Sequence, residues 1–147
     1  MATFNKLNGF VEHLAEGVHA FGTHQLVVAL SNTAPASEST PPTGSTAACV
    51  LANVTQITYT NLSSRNVTTS ASSQASGTQK VVVDDLRLTS TGGTTGPFRY
   101  VYLYNDTPTS PADPLIGYVD YGSSITLGDA EYIDLDFSAA SGLFTVA

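Results

Sequence analysis

The apolar positions of this chain keep two different rhythms. Through the first 22 residues they return at helical spacing: set about 100° apart, Leu7, Phe10, Val11, Leu14, Val18 and Phe21 collect within an arc of about 100°. Glu12, His13, Glu16 and His19 fall outside that arc. The pattern predicts one amphipathic helix over about residues 4–21, capped by Thr3 or Asn5 and stopped at Gly22. Gly9 and Gly17 each cost about 1 kcal/mol in a helix interior, so this helix is expected to lean on its own sheet or on a neighbouring subunit.

After Gly22 the rhythm shortens to two. Valine-rich QLVVALS at 25–31 suits a buried strand, and further strands are predicted at 66–73, 79–88, 98–104, 115–121, 124–127, 131–137 and 143–146. Glycine and proline signals separate them: Gly92-Gly93, Gly96-Pro97, the proline-rich 105–114 stretch, Gly122 and Gly128-Asp129. Residues 50–59 fit either a short helix or a strand. In the run FRYVYLY, period two places Phe98, Tyr100, Tyr102 and Tyr104 on one face and Arg99, Val101 and Leu103 on the other. Large side chains on both faces need cover on both sides, which predicts a central strand or one held against a partner. The expected fold is mainly β: a single antiparallel β-sandwich domain over 1–147, jelly-roll-like, with one N-terminal amphipathic α-helix. Residues 32–47, NTAPASESTPPTGSTA, are too polar and proline-rich to form core and are expected to be a flexible loop or arm that reaches a partner.

Charge narrows the functions. Five basic side chains against 12 acidic ones give a net charge of −7, and Lys6, Arg65, Lys80, Arg87 and Arg99 are scattered, so neither nucleic acid nor an anionic membrane is an expected partner. No apolar run reaches the length of a membrane span, and the N-terminus lacks the basic-then-apolar layout of an export signal. The lone Cys49, in AACVLA, reads as a small buried hydrophobe.

Candidate chemistry is thin. His13, Glu16 and His19 are spaced by three, whereas a helical zinc pair prefers i, i+4, so they read as a solvated helix face, with His24 set to favour the helix C-terminal dipole. Asp129, Glu131, Asp134 and Asp136 form an acidic stripe opposite Ile133, Leu135 and Phe137; it reads as an outer face, with a divalent ion or a basic partner as alternatives. Asp84 and Asp85 point to opposite faces, and a buried one would need Arg87 or Arg99. No G-x-S-x-G or cysteine–histidine arrangement occurs, so no enzyme and no cofactor is expected. The interface candidates are Leu7, Phe10, Leu14 and Val18 on the helix and Tyr100, Tyr102 and Tyr104 on the strand, whose apolar surface predicts a homo-oligomer, a trimer in the first instance.

The segments FNKLNGFVEHLAEGVHAFGTHQLVVALSNTAP, GPFRYVYLYNDT and PLIGYVDYGSSITL resemble those of small structural proteins of tailed bacteriophages. The resemblance implies a virion component without catalytic residues, in the first instance a decoration or cement protein that binds major capsid subunits and stabilises the head. A tail, head–tail connector or receptor-binding component is the alternative it leaves open. A carbohydrate-binding module using the tyrosines is a further alternative from the residues alone.

Overall fold

Residues 4–147 are described by the computed structural model. The chain runs β1 (Phe4–Lys6), α1 (Asn8–Ala15), β2 (Leu26–Ser31), β3 (Asn66–Val67), β4 (Thr69–Ala75), β5 (Thr78–Val83), β6 (Leu86–Thr89), β7 (Thr95–Asn105), β8 (Leu115–Leu127), β9 (Tyr132–Leu135) and β10 (Phe144–Val146). The strands pair antiparallel into a five-stranded sheet of order β1-β8-β7-β2-β3, a three-stranded sheet β10-β5-β4 and a two-stranded sheet β6-β9. The fold is mainly β with one short N-terminal helix, as the residue pattern predicts. Its principal core lies between the large sheet, through Leu26, Val28, Leu30, Val101, Leu103 and Ile116, and the two small ones, through Val81, Val83, Leu88 and Leu135.

The expected helix over 4–21 is replaced by a strand, eight helical residues and a return loop. Phe4–Lys6 pairs with β8, so the chain enters as an edge strand. Leu7 takes the N-cap position without a side-chain cap, and Thr3 lies outside the described residues. The helix stops at Ala15 because Gly17 adopts a left-handed φ of 76°, with Gly17 N–H donating to Leu14 O (3.2 Å) and Val18 N–H to His13 O (2.9 Å). That is a Schellman stop, in which glycine at the left-handed position releases the chain from the helix. Gly17 was expected inside a helix and instead ends one.

Two strand boundaries also move, and one residue changes face. The 79–88 run divides at the exposed Asp84-Asp85, and its halves enter different sheets as β5 and β6. The expected strands at 115–121 and 124–127 are one, β8, whose pairing with β7 jumps from Tyr100↔Asp120 to Phe98↔Ile125 around Gly122. The same irregularity turns Phe98 away from the tyrosines: it lies in the principal core with Val101 and Leu103.

The 32–47 segment is irregular, as expected, but it is laid on the domain rather than extended as an arm. Pro35, Glu38 and Pro42 are buried, and the Glu38 carboxylate accepts hydrogen bonds from Thr55 N (2.8 Å) and Thr55 Oγ1 (2.7 Å). Residues 50–59 form neither a regular strand nor an α-helix; a single 3-10 turn spans Leu51–Asn53. Leu51 N–H donates to Asp113 O (3.0 Å) and Leu115 N–H to Cys49 O (2.9 Å), tying this irregular cover to the start of β8.

Candidate functional site

The side chains expected at an interface are mostly interior. Leu7, Tyr100, Tyr102 and Tyr104 form a second core with Val27, Ala29, Cys49, Leu51, Val54 and Leu115 on the face of the large sheet opposite the principal core. Phe10 is buried in the principal core, Leu14 packs partly buried against it, and Val18 is half-buried. The irregular cover supplies what a partner was expected to supply, so the surface on which a trimer was reasoned lies inside the subunit. The same burial withdraws Tyr100, Tyr102 and Tyr104 as stacking platforms for sugar rings. Exposed Tyr132 has Arg87 over its ring at 3.9 Å, so that face is occupied as well.

The histidines are also placed differently from expectation. Because the helix ends early, His19 swings back beneath it and stacks on Phe21, with ring centroids 5.2 Å apart and an interplanar angle of 13°. His13 and His19 are 3% and 7% exposed, not a solvated face. Asn105 Nδ2 lies 3.1 Å from His19 Nδ1 and 2.9 Å from His24 Nδ1, so its two amide hydrogens serve the two rings. Both rings then accept at Nδ1. His24 Nδ1 also accepts from Ala20 N–H (3.3 Å), a turn contact and not a helix-end one. Burial, with His13 and His24 nearby, pushes the His19 pKa down to about 4, and burial lowers that of His13 against the pull of Glu12 and Glu16. His13 and His19 form a buried, aromatic-lined buttress. Among the described residues, no group of three or more His, Cys, Asp or Glu side chains is placed to hold a metal ion.

The acidic stripe is largely committed. Asp129 Oδ1 accepts from Gly92 N–H (2.7 Å), and Glu131 Oε2 accepts from Gly128 N–H (2.6 Å). Arg87 of β6 faces Asp134 of β9 and forms a forked pair, Nε–Oδ1 at 2.7 Å and Nη2–Oδ2 at 2.8 Å. Hydrogen bonding to Arg87 holds the Asp134 carboxyl below the usual range. Arg99 makes the equivalent pair with Asp120 (2.7 and 2.9 Å), and exposed Asp85 accepts from Phe137 N–H (2.8 Å). Asp136 is exposed and has no ion-pair partner among the described residues.

Asp136 stands on the wall of a cleft of about 370 Å³. The cleft lies between the large sheet, on its β1–β8 side, and the chain from the end of β9 to the start of β10. Phe4, Val119 and Tyr121 form one wall; Leu135, Phe137 and Leu143 form the other. Burial raises the Tyr121 hydroxyl pKa, so it remains a neutral donor. Apolar walls with a free carboxylate beside them suit binding an apolar group joined to a cation. Of these residues, sequence patterning singles out Asp136 with its neighbours Leu135 and Phe137, and Tyr121 as one of the tyrosines able to offer a stacking surface. Val119, Tyr121 and Leu143 belong to segments that meet only in the folded sandwich.

No protein-family model, no curated protein and no solved structure matches this chain.

Proposed function

We propose that this chain is a structural component of a tailed-phage particle, a head decoration protein that docks on the major capsid protein through the cleft between β8 and residues 136–143. The likeness of the 4–35, 96–107 and 114–127 segments to small phage structural proteins supports the setting. The observation that carries the docking mode is the cleft itself, with apolar walls and the unpaired Asp136. Its occupant is an apolar side chain of the capsid protein next to a lysine or arginine. A single such contact is modest; repeated over a symmetric shell it adds buried area at every site. A trimer is not part of this reading, because the apolar surface that suggested one is internal.

Cosedimentation with heads lacking this protein tests the reading. The parent saturates such heads, while Asp136→Lys and Tyr121→Ala, each checked for fold by circular dichroism, lose at least about tenfold in affinity. Parent-like binding by both variants removes the cleft from the interface. A parent that binds tails and ignores heads replaces decoration with a tail role.

A further inference from the structure

The outer edge of β4, seven residues long, is open, and we infer that it pairs antiparallel with the same edge of a second copy, joining two three-stranded sheets across a two-fold axis at Ser73. This pairing does not depend on docking to a capsid.

Register identifies the open groups. The β4–β5 hairpin closes through Ser76 and Gly77, both at positive φ (51° and 84°), with Ala75 opposite Thr78. In such a two-residue hairpin the flanking pair is hydrogen-bonded, and bonded and non-bonded pairs then alternate. Ser73↔Lys80 and Ala71↔Val82 are therefore bonded pairs, whereas Gln74↔Gln79 and Ser72↔Val81 are not. The backbone N–H and C=O of Ser72 and Gln74 point away from β5. Among the described residues neither has a backbone partner.

Proteins ordinarily blunt such an edge with shortness, charge, proline or a bulge. The strands that end the sheets elsewhere are short: β1 and β10 have three residues, β3 has two, and β6 and β9 have four; β8 also runs uncovered past β1, but that stretch is kinked around Gly122, where its register with β7 shifts. β4 has seven, and its one irregularity lies between Thr69 and Ala71, leaving the open groups on a regular stretch. No charged residue and no proline occurs between Arg65 and Lys80. In a chain of net charge −7, this edge is where two copies meet without bringing acids together. Setting Ser72 opposite the partner's Gln74, and Gln74 opposite the partner's Ser72, lets each pair exchange both N–H···O bonds. Ser73 then faces its own copy at the close, non-bonded position, where a small, exposed side chain is required.

Sedimentation and amide exchange across a concentration series test this with the full chain. The weight-average mass is expected to rise from the 15.3 kDa of one chain to twice that value. Over the same range the Ser72 and Gln74 amides gain protection, while those of Ala71 and Ser73, already bonded to β5, do not change. Ser72→Pro removes an outward N–H without removing an internal bond, and it returns the mass to that of one chain. Ser73→Lys does the same by setting two cations face to face, and mixing it with Ser73→Glu restores the dimer. A parent that stays at one-chain mass to the highest concentration overturns the inference. So does a dimer that survives both Ser72→Pro and Ser73→Lys.

Discussion

On one face of the large sheet, Val28, Leu30, Val101, Leu103 and Ile116 meet valines and leucines of regular strands; on the other, Val27, Ala29, Tyr100, Tyr102 and Tyr104 meet a stretch with almost no regular structure. The first face is packed by repetition, since strands laid on strands offer equivalent side chains at every second position. The second is packed by individual fits. Cys49, Leu51 and Val54 descend from a loop, and Gly9 lets the helix approach closely enough that a Cβ there would sit 2.5 Å from Cys49 Cβ and 2.9 Å from Thr46 Cα. A cover built this way tolerates polar detail: Tyr102 is fully buried, yet its hydroxyl has no hydrogen-bond partner among the described residues. Burial accordingly raises its pKa above the usual tyrosine range.

The contrast is open to attack by mutation, beginning at its strongest point. Tyr102→Ala empties a ring from the loop-covered face and is expected to cost about 3–5 kcal/mol in urea unfolding. Tyr102→Phe keeps the ring, removes only the unpartnered hydroxyl, and should be neutral or stabilising by about 1 kcal/mol. A large loss for the phenylalanine variant would mean that the hydroxyl is bonded after all.

Acid sharpens the comparison from the opposite side, because the buried imidazoles belong to the strand-covered core. Folded His19 stays neutral down to about pH 4, whereas the unfolded chain takes up its proton near the ordinary histidine value of 6.5. The unfolded state therefore binds more protons between those values, so stability rises with pH through the window. It is complete above about 6.5 and falls by about 2–3 kcal/mol as pH drops toward 4. His13, lowered in the same direction, steepens the slope. Unfolding free energies at closely spaced pH values check this, and His19→Phe should flatten most of the dependence.

A smaller effect is expected where loop and helix touch. Gly9→Ala forces the helix off Thr46 and Cys49 and should cost about 1–3 kcal/mol, whereas Gly22→Ala, whose Cβ meets only Ser72 Cβ at 3.9 Å, should change the unfolding midpoint little. Smallest of all is Asp134→Asn. The Arg87–Asp134 pair has good geometry, but its side chains are 56% and 48% exposed, and a thermal melt should barely register its loss.

How far the residues announce this architecture depends on whether periodicity applies. β2 and most of β7 obey period two, and the division of Tyr100, Tyr102 and Tyr104 from Val101 and Leu103 is legible directly. Phe98 breaks the rule because the irregular pairing near Gly122 rotates the strand, and no local signal fixes where pairing slips. Gly17 was legible in principle: Glu-Gly-Val after an apolar turn is as good a helix stop as Gly22, and choosing the later glycine put His13 and His19 in solvent. Of the loop cover over the tyrosines only Cys49 was legible, as a small buried hydrophobe, since the other buried residues Pro35, Pro42 and Leu51 follow no period. The cleft escaped for a related reason, its walls coming from β1, β8, the end of β9 and the stretch after it, which no single period relates.

Cys49 gives the irregular cover its own clock. Its sulfur is fully buried, lies 3.4 Å from Leu115 O, and is pushed by burial up to about 11, so in the closed molecule almost no thiolate exists for a reagent to meet. Labelling then proceeds only through excursions in which the segment over the tyrosines lifts. Comparing the labelling rate with the rate of complete unfolding would read how often that segment detaches while the strands beneath it remain paired.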